Sequence, residues 1–201
     1  MPARTLVLAS GSPARLKLLR DAGIDPVVAV SGVDEDDIDP SDTRRSVGRL
    51  ASAKAEAVAR PGGRALVVGC DSMLEFDGRP HGKPSSVEEA RAWLTAMRGK
   101  DGVLFTGHCV IDEATGGRAE AVVGTTVRFG VTTDAELAAY LALPDALEVA
   151  GAFTLDGRSA PFVDGVVGDP GNVIGLSLPA LRSLLGELGV SITDLWREDG
   201  R

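Results

Sequence analysis

Two serines, a glycine and an arginine close the apolar run near the start of the chain: Leu6-Val7-Leu8-Ala9-Ser10-Gly11-Ser12-Pro13-Ala14-Arg15. Ser12 suits a helix N-cap, and Pro13 suits the first helical turn, where a missing N–H is no loss. A helix start offers backbone N–H groups and a positive dipole end. With Ser10, Ser12 and Arg15 beside it, that is an anion site whose natural guest is a phosphate. Taken alone, the segment reads equally well as an ordinary strand, turn and capped helix, because caps far outnumber phosphate sites. A second chemical candidate is Asp71, which follows Ala65-Leu66-Val67-Val68-Gly69-Cys70. So apolar a run is a buried strand, and an acid at its C-terminal end lies where open α/β sheets place their ligands. By itself such an acid reads as a turn-capping residue. Gly82-Lys83-Pro84 follows closely, and the proline holds Lys83 extended on a defined loop.

Two further groups are ambiguous on their own. Lys54 stands four residues after Leu50, on or beside the stripe formed by Leu50, Ala51, Ala55 and Val58. It either snorkels to water or points into a cleft. The acidic run Val33-Asp34-Glu35-Asp36-Asp37 reads as a solvated face, or as oxygens near a phosphate site that suit Mg²⁺.

The elements that must position these groups alternate early. Strands are expected at Thr5–Ala9, Pro26–Val30, Ala65–Cys70, Gly102–Asp112, Ala119–Phe129 and Pro161–Val163, and helices at Pro13–Ala22, Ser41–Ala59, Val87–Met97, Thr133–Leu143 and Pro179–Leu188. Early alternation predicts α/β wrapping. The turn-rich Glu113-Ala114-Thr115-Gly116-Gly117 joins two long strand patterns as an antiparallel hairpin, so the sheet is mixed. A smaller hairpin is expected at Asp77-Gly78, and the polar tail after about Val190 is expected to fray.

Composition narrows the function. The chain has 201 residues, 44% hydrophobic and 25% charged, enough for one domain with a substantial core. Net charge is −8 and only 4% of residues are aromatic, which argues against a nucleic-acid-binding face. A small phosphorylated ligand remains compatible, because one pocket is able to be basic on an acidic surface. Cys70 and Cys109 sit in apolar strand patterns without metal-site spacing. There is no signal-peptide pattern and no membrane-length apolar run, so a cytoplasmic location and no membrane partner are expected. His81 and His108 are the only histidines, with no triad-like surroundings, and neither a P-loop nor a G-x-G-x-x-G motif is present. Ala150-Gly151-Ala152-Phe153, Leu155-Asp156-Gly157 and the turn-rich stretch from Gly168 to Leu176 read as close-approach loops or as scaffold.

Together and in this order, the pieces resemble the Maf family of nucleoside triphosphate pyrophosphatases. Ala9-Ser10-Gly11-Ser12-Pro13-Ala14-Arg15 is similar to the family's A-S-x-S-P-R-R, and Asp34-Glu35 to its acidic pair. Leu50-Ala51-Ser52-Ala53-Lys54-Ala55 follows its L-A-x-x-K-A, Gly69-Cys70-Asp71-Ser72 its G-x-D-[ST], and Gly82-Lys83-Pro84 its G-K-P. Thr106-Gly107-His108-Cys109-Val110, Ala150-Gly151-Ala152-Phe153 and Val173-Ile174-Gly175-Leu176-Ser177-Leu178 complete the series, so the likeness runs from residue 5 to residue 188. It implies an α/β fold with an elongated mixed β-sheet flanked by helices, and two lobes around a cleft, similar to inosine triphosphate pyrophosphatases. It also implies hydrolysis of a nucleoside triphosphate to the monophosphate and pyrophosphate with a divalent cation, Mg²⁺ or Mn²⁺. A role in clearing non-standard nucleotides or restraining cell division goes with it, and a homodimer is compatible with it. The residues carried over are Ser10, Ser12, Arg15, Glu35, Lys54, Asp71 and Lys83, with Asp71, Glu35 and Lys83 as catalytic groups and Asp71 and Glu35 as metal ligands; Asp71 either activates the attacking water or holds the metal that does so.

Three departures from the family pattern stand out. Ala14 replaces the first arginine of the pair, Glu148-Val149 replaces the D-K before A-G-A-Y, and Asp156 replaces the glutamine of G-I-Q-G. Loss of the arginine favours the alternative of a non-catalytic nucleotide-binding regulator, whereas Asp71, Lys54 and Lys83 favour an enzyme. Asp156 is expected to face the base as a buried carboxylate, which would select a base offering N–H donors.

Overall fold

Burial along one long strand sets the architecture. The computed structural model describes residues 4–34 and 41–197. In β3 (Leu66–Phe76) alternate side chains enter different cores, as the two-residue period of a strand requires. Leu66, Val68 and Cys70 join Leu6 and Leu8 of β1 (Leu6–Leu8), Leu19 of α1 (Pro13–Asp21) and Leu181, Leu184 and Leu185 of α6 (Leu178–Glu187). Val67 faces the other side, with Ala51 and Ala55 of α2 (Thr43–Val58) and with Cys109.

Among the described residues the sheet has seven strands, in the order β2 (Val27–Val28), β1, β3, β5 (Asp101–Asp112), β6 (Arg118–Phe129) and β7 (Val163–Val167), with β4 (Arg79–His81) paired to β3. β2 and β3 flank β1 in parallel, while β5, β6 and β7 continue antiparallel. This is the mixed, helix-flanked α/β sheet expected. A second core lies toward the far end of the long strands, where Leu74, Leu104, Val127 and Phe129 meet Met97 and Phe153. Beside it, Ala90 and Leu94 of α3 (Val87–Met97) pack with Leu137 and Tyr140 of α4 (Asp134–Leu141).

α2 rests directly on strand backbone. A Cβ at Gly69 would stand 2.1 Å from the Ala51 carbonyl oxygen, and one at Gly107 2.1 Å from that of Val47. Real Cβ contacts do not come so close, so both positions exclude larger residues. That approach, with Leu50, Ala51 and Ala55 buried, turns Lys54 inward.

The structure departs from expectation in four places. β3 continues to Phe76, so Asp71 lies inside a strand and not at its end. Pairing with β5 from Leu66 to Glu75 carries it on. The last strand is Val163–Val167, with a 3₁₀ turn at Ala160–Phe162 where the strand was expected to begin. A short helix, α5 (Pro170–Ile174), occupies the stretch read as loop. Residues 191–197 are anchored: Ser191 caps a 3₁₀ turn at Ile192–Leu195, Leu195 enters the core, and Trp196 bridges to Ile24. Among the described residues no helix is long and apolar enough to cross a membrane. Both cysteines are free and buried, and burial raises Cys70 to about 11 and Cys109 to about 12.

Candidate active site

The edge of β3 opposite β5 is covered in two pieces. β1 pairs with Leu66–Val68 and β4 with Leu74–Phe76. Between them, Gly69–Met73 meets no strand on that edge among the described residues. Asp71 sits in the middle of this gap. A cleft of about 920 Å³ opens there, lined among others by Ser10, Arg15, Lys54, Asp71, Lys83 and Phe153. Open α/β sheets receive ligands beyond the carboxyl ends of their strands, and β1 ends beside this gap.

Asp71 and Ser72, adjacent in a strand, point to opposite faces and recruit opposite partners. On the α2 face, Lys54 Nζ donates to Asp71 Oδ1 at 2.6 Å, with the two residues 8% and 7% exposed. Breaking such a buried pair from one side costs about 3–5 kcal/mol, so each charge holds the other in place. On the other face Ser72 Oγ accepts from Arg15 Nη2 at 3.0 Å.

Arg15 is the most constrained cation of the cleft. Its Nε donates to the Gly175 carbonyl at 2.7 Å and its Nη1 to Ser10 Oγ at 3.0 Å. These acceptors, and Ser72, are neutral. Among the described residues no carboxylate pairs with Arg15, although it is 9% exposed. A buried guanidinium fixed by neutral groups keeps its full charge for an incoming anion. Gly175 makes the fit possible: its φ is 124°, and a Cβ there would lie 3.1 Å from Arg15 Nε.

The start of α1 completes this wall. Ser12 caps the helix with extended backbone, its Oγ accepting the Arg15 N–H at 3.4 Å. Ser10 Oγ accepts the Ser12 N–H at 3.3 Å. Both serine oxygens thus act as acceptors toward the protein, leaving their own O–H protons to donate to an anion. Beneath them His108 is 1% exposed, and its Nε2 accepts the Ser177 N–H at 2.9 Å. Burial, and then the charge of Arg15, hold it down to about 4, so it is neutral at pH 7.

The opposite rim is clasped by backbone. Gly82, before Lys83, accepts the Gly151 N–H at 2.9 Å. Gly151 has φ 68°, and a Cβ there would lie 2.6 Å from Leu74 Cδ2. The next residue, Ala152, is fully buried at φ 60°, a strained conformation held by Tyr140 Oη donating to its carbonyl at 3.0 Å. This turn aims Phe153 at the cleft and fixes the loop of Lys83, which is itself exposed.

Asp156 differs from expectation. It lines the cleft but is exposed, and the Thr154 hydroxyl donates to it. It is a rim carboxylate, already partnered, because the turn at Leu155-Asp156-Gly157 carries it outward. Lys17 also lines the cleft, and its proton affinity is raised first by Asp21 and further by the field of Asp156. Glu35 lies outside the described residues. Among the described residues no group of three or more His, Cys, Asp or Glu is clustered as a metal site.

The whole constellation, in chain order, matches the Maf-like protein family over residues 5–188. The chain belongs to the Maf family. A relative from Streptomyces avermitilis is 58% identical over 197 residues, covering 97% of this chain and 96% of its own length. One from Streptomyces coelicolor is 58% identical with the same coverage, and one from Gloeothece citriformis is 47% identical over 191 residues, covering 95% and 97%. Each of these relatives is named a nucleoside triphosphate pyrophosphatase.

In this Maf chain Ser10, Ser12, Arg15, Lys54, Asp71 and Lys83 line one cleft, and Asp156 lies on its rim. Sequence reasoning passed over Ser72 and Gly175 as participants, though both stand in quoted motifs. The signal available was adjacency to Asp71 for Ser72, and for Gly175 a glycine closing a short helix.

Proposed function

We propose that this chain hydrolyses nucleoside triphosphates to the monophosphate and pyrophosphate in the cleft around Asp71. The observation that carries the reading is Arg15: a buried guanidinium whose partners among the described residues are all neutral, facing a buried Lys54–Asp71 pair across one strand. A triphosphate brings about four negative charges, and fixed cations in a partly desolvated cleft stabilise charge that develops on it. Arg15, with the O–H groups of Ser10 and Ser12, binds phosphate oxygens on one wall. Lys83 reaches the chain from the opposite rim. Lys54 fixes the orientation of the Asp71 carboxylate.

Water attacks the α-phosphorus, the bond from that phosphorus to the bridging oxygen breaks, and pyrophosphate leaves with the bond's electrons. Asp71 takes the proton from the attacking water. The donor chemistry fits a hard divalent cation, because Mg²⁺ uses one or two carboxylates plus substrate phosphates. Asp71, with Glu35 as second carboxylate, would hold it, and when bound it would supply charge neutralisation on the phosphates. The exposed Asp156 and Glu148 place negative charge at the outer end of the cleft. They favour a base with N–H donors over one offering mainly carbonyls. Nucleotide clearance would follow from this activity.

The test is a panel of ribo- and deoxyribonucleoside triphosphates with Mg²⁺ or Mn²⁺, with products separated by chromatography. Monophosphate and pyrophosphate are expected. Release of diphosphate and orthophosphate would refute the reaction, and tight binding without turnover would make the chain a nucleotide-binding regulator.

A further inference from the structure

We infer that Thr106 is a positioning residue for the substrate-binding arginine, acting through Ser72 by a hydrogen-bond chain of fixed direction. The inference rests on the reading of Arg15 as a phosphate ligand. Thr106 lies on β5 directly opposite Ser72 of β3, so their side chains share one face of the sheet. Thr106 is fully buried, and its Oγ1 is 2.9 Å from the Asn172 carbonyl and 3.0 Å from Ser72 Oγ. A carbonyl only accepts, so the single Thr106 proton goes to Asn172. Ser72 must then donate its own proton to Thr106. With that proton committed, Ser72 meets Arg15 Nη2 with a lone pair only. The chain runs Arg15 to Ser72 to Thr106 to the Asn172 carbonyl, each link donating to the next.

Its end is firmly held. Asn172 is fully buried, and its Nδ2 donates to the Leu104 carbonyl and to Thr125 Oγ1, both at 3.1 Å, tying α5 to β5 and β6. The same short helix ends at Gly175, whose carbonyl takes Arg15 Nε. Arg15 is thus gripped by α5 twice: directly at Nε, and through two hydroxyls at Nη2. An arginine has five N–H donors, and these contacts with Ser10 leave two for substrate oxygens, in a plane the protein has already set. Without the Thr106 hydroxyl, Ser72 is free to turn its proton toward Arg15 or the substrate, and the guanidinium loses its orientation.

Thr106→Val preserves shape and removes the hydroxyl, while Thr106→Ser keeps it. We expect Thr106→Val to lower kcat/KM about tenfold or more, the scale of one displaced charged hydrogen bond. Thr106→Ser should stay within about twofold. The deciding arm is a double-mutant cycle with Ser72→Ala, which already cuts the chain: in that background Thr106→Val should cost nothing further. A purely structural role for Thr106 would give the same loss in both backgrounds. Additive losses, an unaffected Thr106→Val, or a Thr106→Ser as impaired as the valine variant would each overturn the inference. If Thr106→Val does not fold, Thr106→Cys, with its weak donor, replaces it in the same cycle. If the wild type turns over no nucleotide, the proposed reaction fails by itself, and the cycle is read instead from calorimetric binding of pyrophosphate.

Discussion

Acid should destabilise this protein first through His108. The ring is 1% exposed, its Nε2 is committed to the Ser177 N–H, and burial together with Arg15 lowers it from 6.5 to about 4. Above its ordinary value the imidazole is neutral in folded and unfolded chains alike, and contributes no pH dependence. As pH falls below 6.5, the unfolded chain binds a proton that the folded chain refuses. Stability then drops by up to about 1.4 kcal/mol per pH unit, until the folded ring also protonates near pH 4. Over that interval the loss reaches about 3 kcal/mol, a large part of a typical stability of about 5–15 kcal/mol. Urea midpoints measured between about pH 7 and about pH 4 would show it. His108→Gln keeps an acceptor for Ser177 and cannot titrate, so its midpoint should stay level from about pH 7 to about pH 5.5, above the range where glutamates begin to protonate. Glu89, Glu120 and Glu136, held below 4.5 by their hydrogen bonds, add to the loss only toward the acid end of this range. Asp112, hydrogen-bonded by Arg4, sits at about 2, so its support is present above 3.8 and is lost only as pH falls from there toward 2. Parallel curves for wild type and His108→Gln between pH 6.5 and 4 would refute a neutral, buried His108.

Three further outcomes are expected. Asp71→Asn should fold and lose roughly two orders of magnitude in kcat, the scale of a missing general base; near-normal turnover would remove Asp71 from the proton transfer. Gly69→Ala forces a Cβ to within 2.1 Å of the Ala51 carbonyl, so α2 must shift and carry Lys54 away from Asp71. Its urea midpoint should fall by about 1–3 kcal/mol equivalent and activity should fall with it, whereas an unchanged midpoint would contradict the direct seating of α2 on the sheet. Asp156→Gln should move base preference toward dTTP or UTP on the nucleotide panel; identical rankings would show that Asp156 does not read the base.

Local signals were read well from the sequence because local chemistry determines them. The Ser12 cap with Pro13 and the Val87–Met97 helix appear where the residue types put them. Lys54 was ambiguous, since a helix stripe does not say whether a neighbouring lysine snorkels; Gly69 and Gly107 decide it by drawing α2 onto the strands. What long-range pairing controls was not visible. β3 runs on past Asp71 because β5 accompanies it, which moves the acid from a strand end to an open edge. Arg15 meets Ser72 and Gly175 across 57 and 160 residues, and no spacing rule links such positions. The five-residue α5 is too short for a periodic pattern, and residues 191–197 are anchored by the Ile24–Trp196 bridge. Asp156 is expected to face the base as a buried carboxylate because it stands where the family pattern has a glutamine, yet the turn exposes it.

The central claim is that water attacks the α-phosphorus of a nucleoside triphosphate held beside Asp71. It is tested most directly by turnover in ¹⁸O-labelled water, followed by mass spectrometry of both products. The account predicts one labelled oxygen in the nucleoside monophosphate and none in pyrophosphate. Label in pyrophosphate or in orthophosphate would place the attack on another phosphorus and contradict it.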